Sequence, residues 1–186
     1  FFSEYGFQSF PEYASVLRFA PEERDWDIES EVMMAHQRGG DFANMRIRQY
    51  LEDEYWPTRD FRTFLYMSHV LQGDAIKTAI EAHRRDKPYC WGSLFWQHND
   101  CWPVASWASR DWYGRWKAQH YFARPAFDDI LVSPLAEGNT LNVRLVSDRR
   151  KTVRGKFRIT VMDMDGALLS ENTRSLTVAP NDSRNV

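Results

Sequence analysis

Phe1-Phe2-Ser3-Glu4-Tyr5-Gly6-Phe7 sets apolar and aromatic side chains on both sides of a single acid. Such a run, with no alternation of polar and apolar positions, is the pattern of a strand buried on both faces, as in a parallel sheet. An isolated charge inside it costs several kcal/mol, so Glu4 is either half of an ion pair with an arginine or a functional group. A second short apolar run, Tyr89 to Trp96, lies between Pro88 and a polar cluster and reads as another buried strand.

Helical patterns fill the interval between these runs. Asp27 is placed to cap a helix carrying Ile28, Val32, Met33 and His36, which stops at Gly39-Gly40. A second helix is predicted from about Phe42 to Tyr55, with Ile47, Tyr50, Leu51 and Tyr55 on one face, ending before Pro57. A third starts at Asp60 and repeats Phe61, Phe64, Leu65, Leu71, Ile76 and Ile80 at helical spacing, with a bend expected near Gly73. The run Glu52-Asp53-Glu54 reads as a solvated helix face rather than a metal site. A Trp-rich loop follows the second strand, and then a helix of roughly Tyr113 to Phe127. Strand, helices, strand, helix is the rhythm of a parallel α/β unit.

Near Arg124-Pro125 the period changes to two. Leu141, Val143 and Leu145 alternate with Asn142, Arg144 and Val146, and Phe157, Ile159 and Val161 with Arg158, Thr160 and Met162. Turn signals stand at Glu137-Gly138-Asn139 and Asp165-Gly166. Four or five short antiparallel strands are expected, fewer than a seven-stranded sandwich holds. Part of a parallel fold joined to part of a sheet reads as a piece of a longer polypeptide.

The 186 residues are 43% hydrophobic and 27% charged, which suits a packed globular chain and not a disordered one. A formal net charge of -2 gives no electrostatic reason to expect nucleic acid or an anionic membrane as partner. No apolar run approaches the roughly 20 residues of a membrane span, and any targeting segment is expected upstream of Phe1. Cys90 and Cys101 do not make a disulfide framework; two inert thiols are favoured over a bond between them. Aromatic content is the outlier, with 8 Trp, 8 Tyr and 12 Phe. Aromatic faces stack on sugar rings and also fill cores, so the Trp cluster from Trp91 to Trp112 is compatible with either role.

Trp96-Gln97-His98-Asn99-Asp100-Cys101-Trp102-Pro103 closes the second strand and sets a flat apolar platform beside amide and carboxylate groups, the mixture that binds polyhydroxylated rings. Asn99 and Asp100 are either loop-capping residues or, for Asp100, a catalytic acid. Ser106, Ser109 and His120 lack the strand–turn–helix context of a nucleophile elbow, and His98 and His120 lack metal-ligand spacing.

Ser3-Glu4-Tyr5-Gly6-Phe7-Gln8-Ser9-Phe10-Pro11 resembles the nucleophile motif of the β-mannosidases in glycoside hydrolase family 2. Glu81-Ala82-His83-Arg84-Arg85 and the stretch from Gly92 to Pro103 resemble that family's closing barrel strand. Asp111 to Ala118 with His120-Tyr121 is similar to its last barrel helix. The resemblance implies an α/β chain: the C-terminal part of a (β/α)8 TIM barrel, strands seven and eight, over residues 1–124, then the start of an all-β, immunoglobulin-like sandwich over 125–186. It implies that Glu4 is the nucleophile of a retaining exo-β-mannosidase and that Trp96 lines the substrate site; Asn99 and Asp100, from the polar cluster beside it, are the further candidate substrate-binding residues. The chemistry needs no cofactor and no metal, and the expected partner is a mannose-containing oligosaccharide or glycoconjugate. The family's acid/base glutamate sits in an Asn-Glu pair on barrel strand four, and this sequence has no such pair. His98 stands where an apolar residue is expected. A β-galactosidase or β-glucuronidase of the same family, or a non-catalytic carbohydrate-binding fragment, are the alternatives. Uncovered barrel edges around Phe1–Phe10 and Tyr89–Trp96 are expected to drive self-association.

Overall fold

A computed structural model describes residues 1–186. Strand β1 (Phe2–Tyr5) is followed by α1 (Tyr13–Val16), a 3-10 turn (Glu23–Asp25), α2 (Glu31–Ala35), α3 (Ala43–Glu54), α4 (Phe61–Arg85), β2 (Ser93–Phe95) and α5 (Ala118–Ala126). Five strands complete the chain: β3 (Ile130–Glu137), β4 (Thr140–Ser147), β5 (Val153–Met162), β6 (Leu168–Val178) and β7 (Ser183–Asn185).

β1 and β2 pair in parallel, with Phe2 opposite Ser93 and Tyr5 opposite Phe95 and an irregularity between the two pairs. The irregularity puts Phe2 and Tyr5, three apart in sequence, on the same side: the Phe2 ring stacks on His83 at 4.0 Å, and Tyr5 meets His83 edge-on at 4.9 Å. The strands are shorter and barer than their composition predicts. The second is three residues rather than the run Tyr89 to Trp96, and Phe1, Phe2, Trp91 and Leu94 are at least half exposed. Helices of this chain cover one face only; no residue of the chain covers the other face or pairs with the outer edges.

α4 is the framework of the helical part. Asp60 caps it by accepting from the Thr63 amide at 2.7 Å, and His83, Arg84 and Arg85 place basic side chains at its C-terminal end. It runs unbroken through Gly73, where a bend was expected. The glycine instead admits the ring of Phe122 from α5. Ile76 and Ile80 of α4 pack with Ala123 and Ala126 of α5 beneath Tyr5, Phe7 and Phe95. A larger core gathers Phe10, Val16, Ile28, Met33, Ile47 and Leu65.

Two other helix boundaries differ from expectation. Asp27 does not cap α2. Its Oδ1 accepts from the Glu29 amide at 2.9 Å, which makes a turn, and Ser30 caps the helix by accepting from Met33 N at 3.2 Å. The last helix starts at Ala118, not Tyr113. Asp111 accepts from the Arg115 amide at 2.9 Å and holds 111–115 as a turn around Gly114, which has φ +83°. Cys90 and Cys101 are both free thiols, the first buried and the second exposed.

The C-terminal strands form two antiparallel sheets, β3-β4-β7 and the hairpin β5-β6. Gly138 (φ +58°) and Gly166 (φ +86°) turn the two hairpins at the places their sequence signals predict. In the first sheet the cross-strand pair Leu131 and Val146 is buried on one face and Val143 and Leu145 on the other, whereas Val161, Leu168 and Leu169 of the hairpin stay exposed. Polar bonds join this part to the end of α4: Asp148 accepts from Arg84 at 2.8 Å and from Lys87, and Arg85 donates to Ser133 Oγ at 2.6 Å.

Candidate active site

Tyr5 and Phe95 pack toward the helices. Glu4 directly precedes Tyr5 at the C-terminal end of β1, and Trp96 directly follows Phe95 at the end of β2, its parallel neighbour. Glu4 is exposed, and none of the chain's ion pairs involves it. The structural ion pair weighed as an alternative is not made within this chain. Trp96 is 43% exposed, its amide donates to the Tyr5 carbonyl at 2.7 Å, and its peptide bond to Gln97 is cis. Gly6 lets the two backbones approach: a Cβ there would stand 2.5 Å from the Trp96 carbonyl oxygen and 2.8 Å from the Trp107 ring.

Asp100 is buried, with Oδ1 accepting from Ser106 Oγ at 2.6 Å and Oδ2 without a hydrogen bond; burial raises its pKa, while the Ser106 bond and the Lys117 charge oppose the rise. Asn99 is exposed at the loop and donates to the Asp100 carbonyl at 3.1 Å. Glu4 and Trp96 thus stand at the same ends of two neighbouring parallel strands, Asn99 is exposed on the loop after Trp96, and Asp100 is buried.

Behind the site lies a buried polar layer that sequence reasoning missed. Ser9 and Ser106 exchange backbone hydrogen bonds of 3.0 and 3.1 Å. Lys117 is wholly buried, and its ammonium donates to both of their carbonyls, at 3.1 Å to Ser9 and 3.3 Å to Ser106. Burial pushes its pKa down to about 8, against the pull of Asp100 and Asp111. Ser9 Oγ donates to Gln72 Oε1 at 2.7 Å, and Gln72 donates onward to the Phe7 carbonyl at 2.8 Å. His69 meets the Phe10 carbonyl through Nε2 at 2.7 Å. Burial, aided by the Lys117 charge, lowers its pKa to about 4. Asp111 accepts from Ser15, to which Arg115 also donates at 3.1 Å. The one available signal was position: Lys117 follows Trp116 in the stretch that resembles the last barrel helix. Beside Gly6, a cavity of about 430 Å³ is lined by Phe7, Gln8, Phe42, Tyr50 and Trp107 among others.

Residues 139–186 match the family model described as a mannosidase Ig/CBM-like domain. β-Mannosidase from Rattus norvegicus is 31% identical over 84% of this chain, which corresponds to 19% of that protein. β-Mannosidase B from Aspergillus niger is 27% identical over the full chain and 24% of its own length. Among solved structures, β-D-mannosidase from Dictyoglomus thermophilum superposes over 100% of this chain and 23% of its own, with a TM-score of 0.89 and 31% identity. An exo-chitosanase from Amycolatopsis orientalis shares the fold at a TM-score of 0.78 and 17% identity, covering 98% of this chain and 23% of its own. The chain belongs to the β-mannosidase family and spans about a fifth of the length of the curated relatives it matches.

Proposed function

We propose that this chain is the segment of a retaining exo-β-mannosidase that supplies the nucleophile, Glu4, and the sugar-stacking residue, Trp96. β1 and β2 are read as strands seven and eight of a (β/α)8 barrel over residues 1–124, with residues 125–186 opening the sandwich that follows. The observation that carries this is the pairing of an exposed, unpaired carboxylate and a half-exposed indole at the same ends of two parallel strands, where barrel enzymes build their sites. Glu4 attacks the anomeric carbon from the α face to form a glycosyl ester, while a second carboxyl group from the rest of the enzyme protonates the departing oxygen. That group, now a carboxylate, then takes a proton from the water that releases the sugar. Trp96 holds the ring for in-line attack. Asn99, exposed on the loop after Trp96, is read as a contact to the sugar hydroxyls. Asp100, turned inward, is read as supporting the loop.

The test is to label the complete enzyme with a 2-fluoro-β-mannoside bearing a good leaving group and to map the modified peptide by mass. The label is expected on Glu4. A label elsewhere overturns the role of Glu4, and preferential labelling by the 2-fluoro galactoside or glucuronide changes the sugar.

A further inference from the structure

Two segments leave the proposed site in different directions and must keep one relative placement. Ser9 lies on the segment that leaves β1 after Glu4, and Ser106 on the loop that leaves β2 after Trp96. Two backbone hydrogen bonds join them, and each of the two carbonyls also accepts from the Lys117 ammonium. One side chain thus straddles the whole bridge from α5's N-terminal boundary, with no exposure to solvent. An ammonium so deeply buried is costly unless it is hydrogen-bonded and compensated. Its setting offsets part of that cost, through the two carbonyls and through the charges of Asp100 and Asp111, while burial still holds its pKa down to about 8. A methionine or leucine would fill the same volume without that cost, so what the ammonium adds is the ability to bind two carbonyls at once.

We propose that Lys117 is a positioning residue for the Glu4–Trp96 face: it fixes the segment leaving β1 against the loop leaving β2, and so sets the nucleophile relative to the stacking platform. This rests on the reading of Glu4 as nucleophile. Lys117 touches neither substrate nor reacting atoms, and it acts through the Ser9–Ser106 bridge. Gln72 anchors the same bridge to α4, so loss of the ammonium leaves the bridge tethered at one side and loosened at the other.

Two measurements test this. By hydrogen exchange of the complete enzyme, the Ser9 and Ser106 amides are expected to exchange as slowly as those of the α4 core, and roughly tenfold or more faster in Lys117→Met. Loop-like exchange in the unsubstituted enzyme, or no change in the variant, overturns the proposal. In the complete enzyme, Lys117→Met is expected to lower kcat on a β-mannoside by about tenfold or more, with KM changed by less than about threefold, as misplacement of a reacting group requires. Met33→Ala, in the other core, is the control for instability alone and is expected to keep kcat at temperatures where it is folded. Full kcat in Lys117→Met beside an inactive Glu4→Gln enzyme overturns this inference alone. Full kcat in Glu4→Gln overturns the reading of Glu4 and this inference with it.

Discussion

The ring of Phe122 on α5 presses on α4 at Gly73, where an added Cβ would stand 2.8 Å from two of its carbons. Gly73→Ala gains about 1 kcal/mol of helix propensity but overpacks a buried contact at a cost of about 1–3 kcal/mol. Net destabilisation is expected in thermal unfolding, and Phe122→Leu in the same chain should recover part of it. A raised Tm for Gly73→Ala alone would contradict this packing.

Trp96→Ala in the complete enzyme tests the stacking role proposed for the indole. Loss of about 1–3 kcal/mol of stacking and positioning corresponds to a decrease in kcat/KM of roughly 5- to 150-fold. A folded variant with undiminished kcat/KM would make Trp96 a packing residue only.

Glu4→Ala should abolish turnover of natural substrates in the complete enzyme. Added azide should restore cleavage of substrates with a good leaving group and yield the α-mannosyl azide, because the small anion enters from the vacated face. The isolated 186-residue chain should not hydrolyse mannosides, since general acid assistance contributes about 10²–10⁴-fold. Activity from the chain alone, or unchanged turnover in Glu4→Ala, would refute the assignment of the nucleophile.

Acid should destabilise the chain through His69. Its pKa falls from 6.5 to about 4 on folding, so between those values the unfolded chain binds the extra proton and stability drops as pH falls. The loss is on the order of 3 kcal/mol. Lys117, lowered from 10.5 to about 8, acts in the same sense at alkaline pH: stability rises from pH 8 to 10.5. Urea unfolding of the unsubstituted chain and of His69→Gln across pH 4–7 measures the first effect. Parallel pH curves for the two would exclude it.

Phe1, at 73% exposure, and Leu94, at 55%, lie on or beside the bare strand pair. The 186-residue chain should therefore self-associate through that pair, as uncovered apolar strands do. Sedimentation should show this as a weight-average mass that rises with concentration. A monomer with little dye-accessible apolar surface would count against it.

Periodicity made the large elements legible. Asp60 and the apolar spacing after it set α4, and Gly138 and Gly166 set the two hairpins, because these signals act over a few residues. The failures came where short-range signals competed. Asp27 and Ser30 are both good caps three residues apart; the first makes a turn and the second caps the helix whose Met33 is buried in the larger core. Asp111 converted the expected first turn of α5 into a separate turn. The motif around Glu4 and Trp96 could be read from the chain, but the buried layer could not. Lys117, Gln72 and His69 look like surface residues by type, and only the fold reveals the carbonyls they meet: Ser9 and Ser106 for Lys117, Phe7 for Gln72 and Phe10 for His69.

α4 has 25 residues and so spans about 37 Å. Gln72, midway along it, is bonded into the layer beneath Glu4 and Trp96, and the residues at its far end, Glu81 to Lys87, are bonded to the first C-terminal sheet. One helix is thus hydrogen-bonded both to the polar layer and to the C-terminal sheet, so the two differently built parts of the chain share a single support.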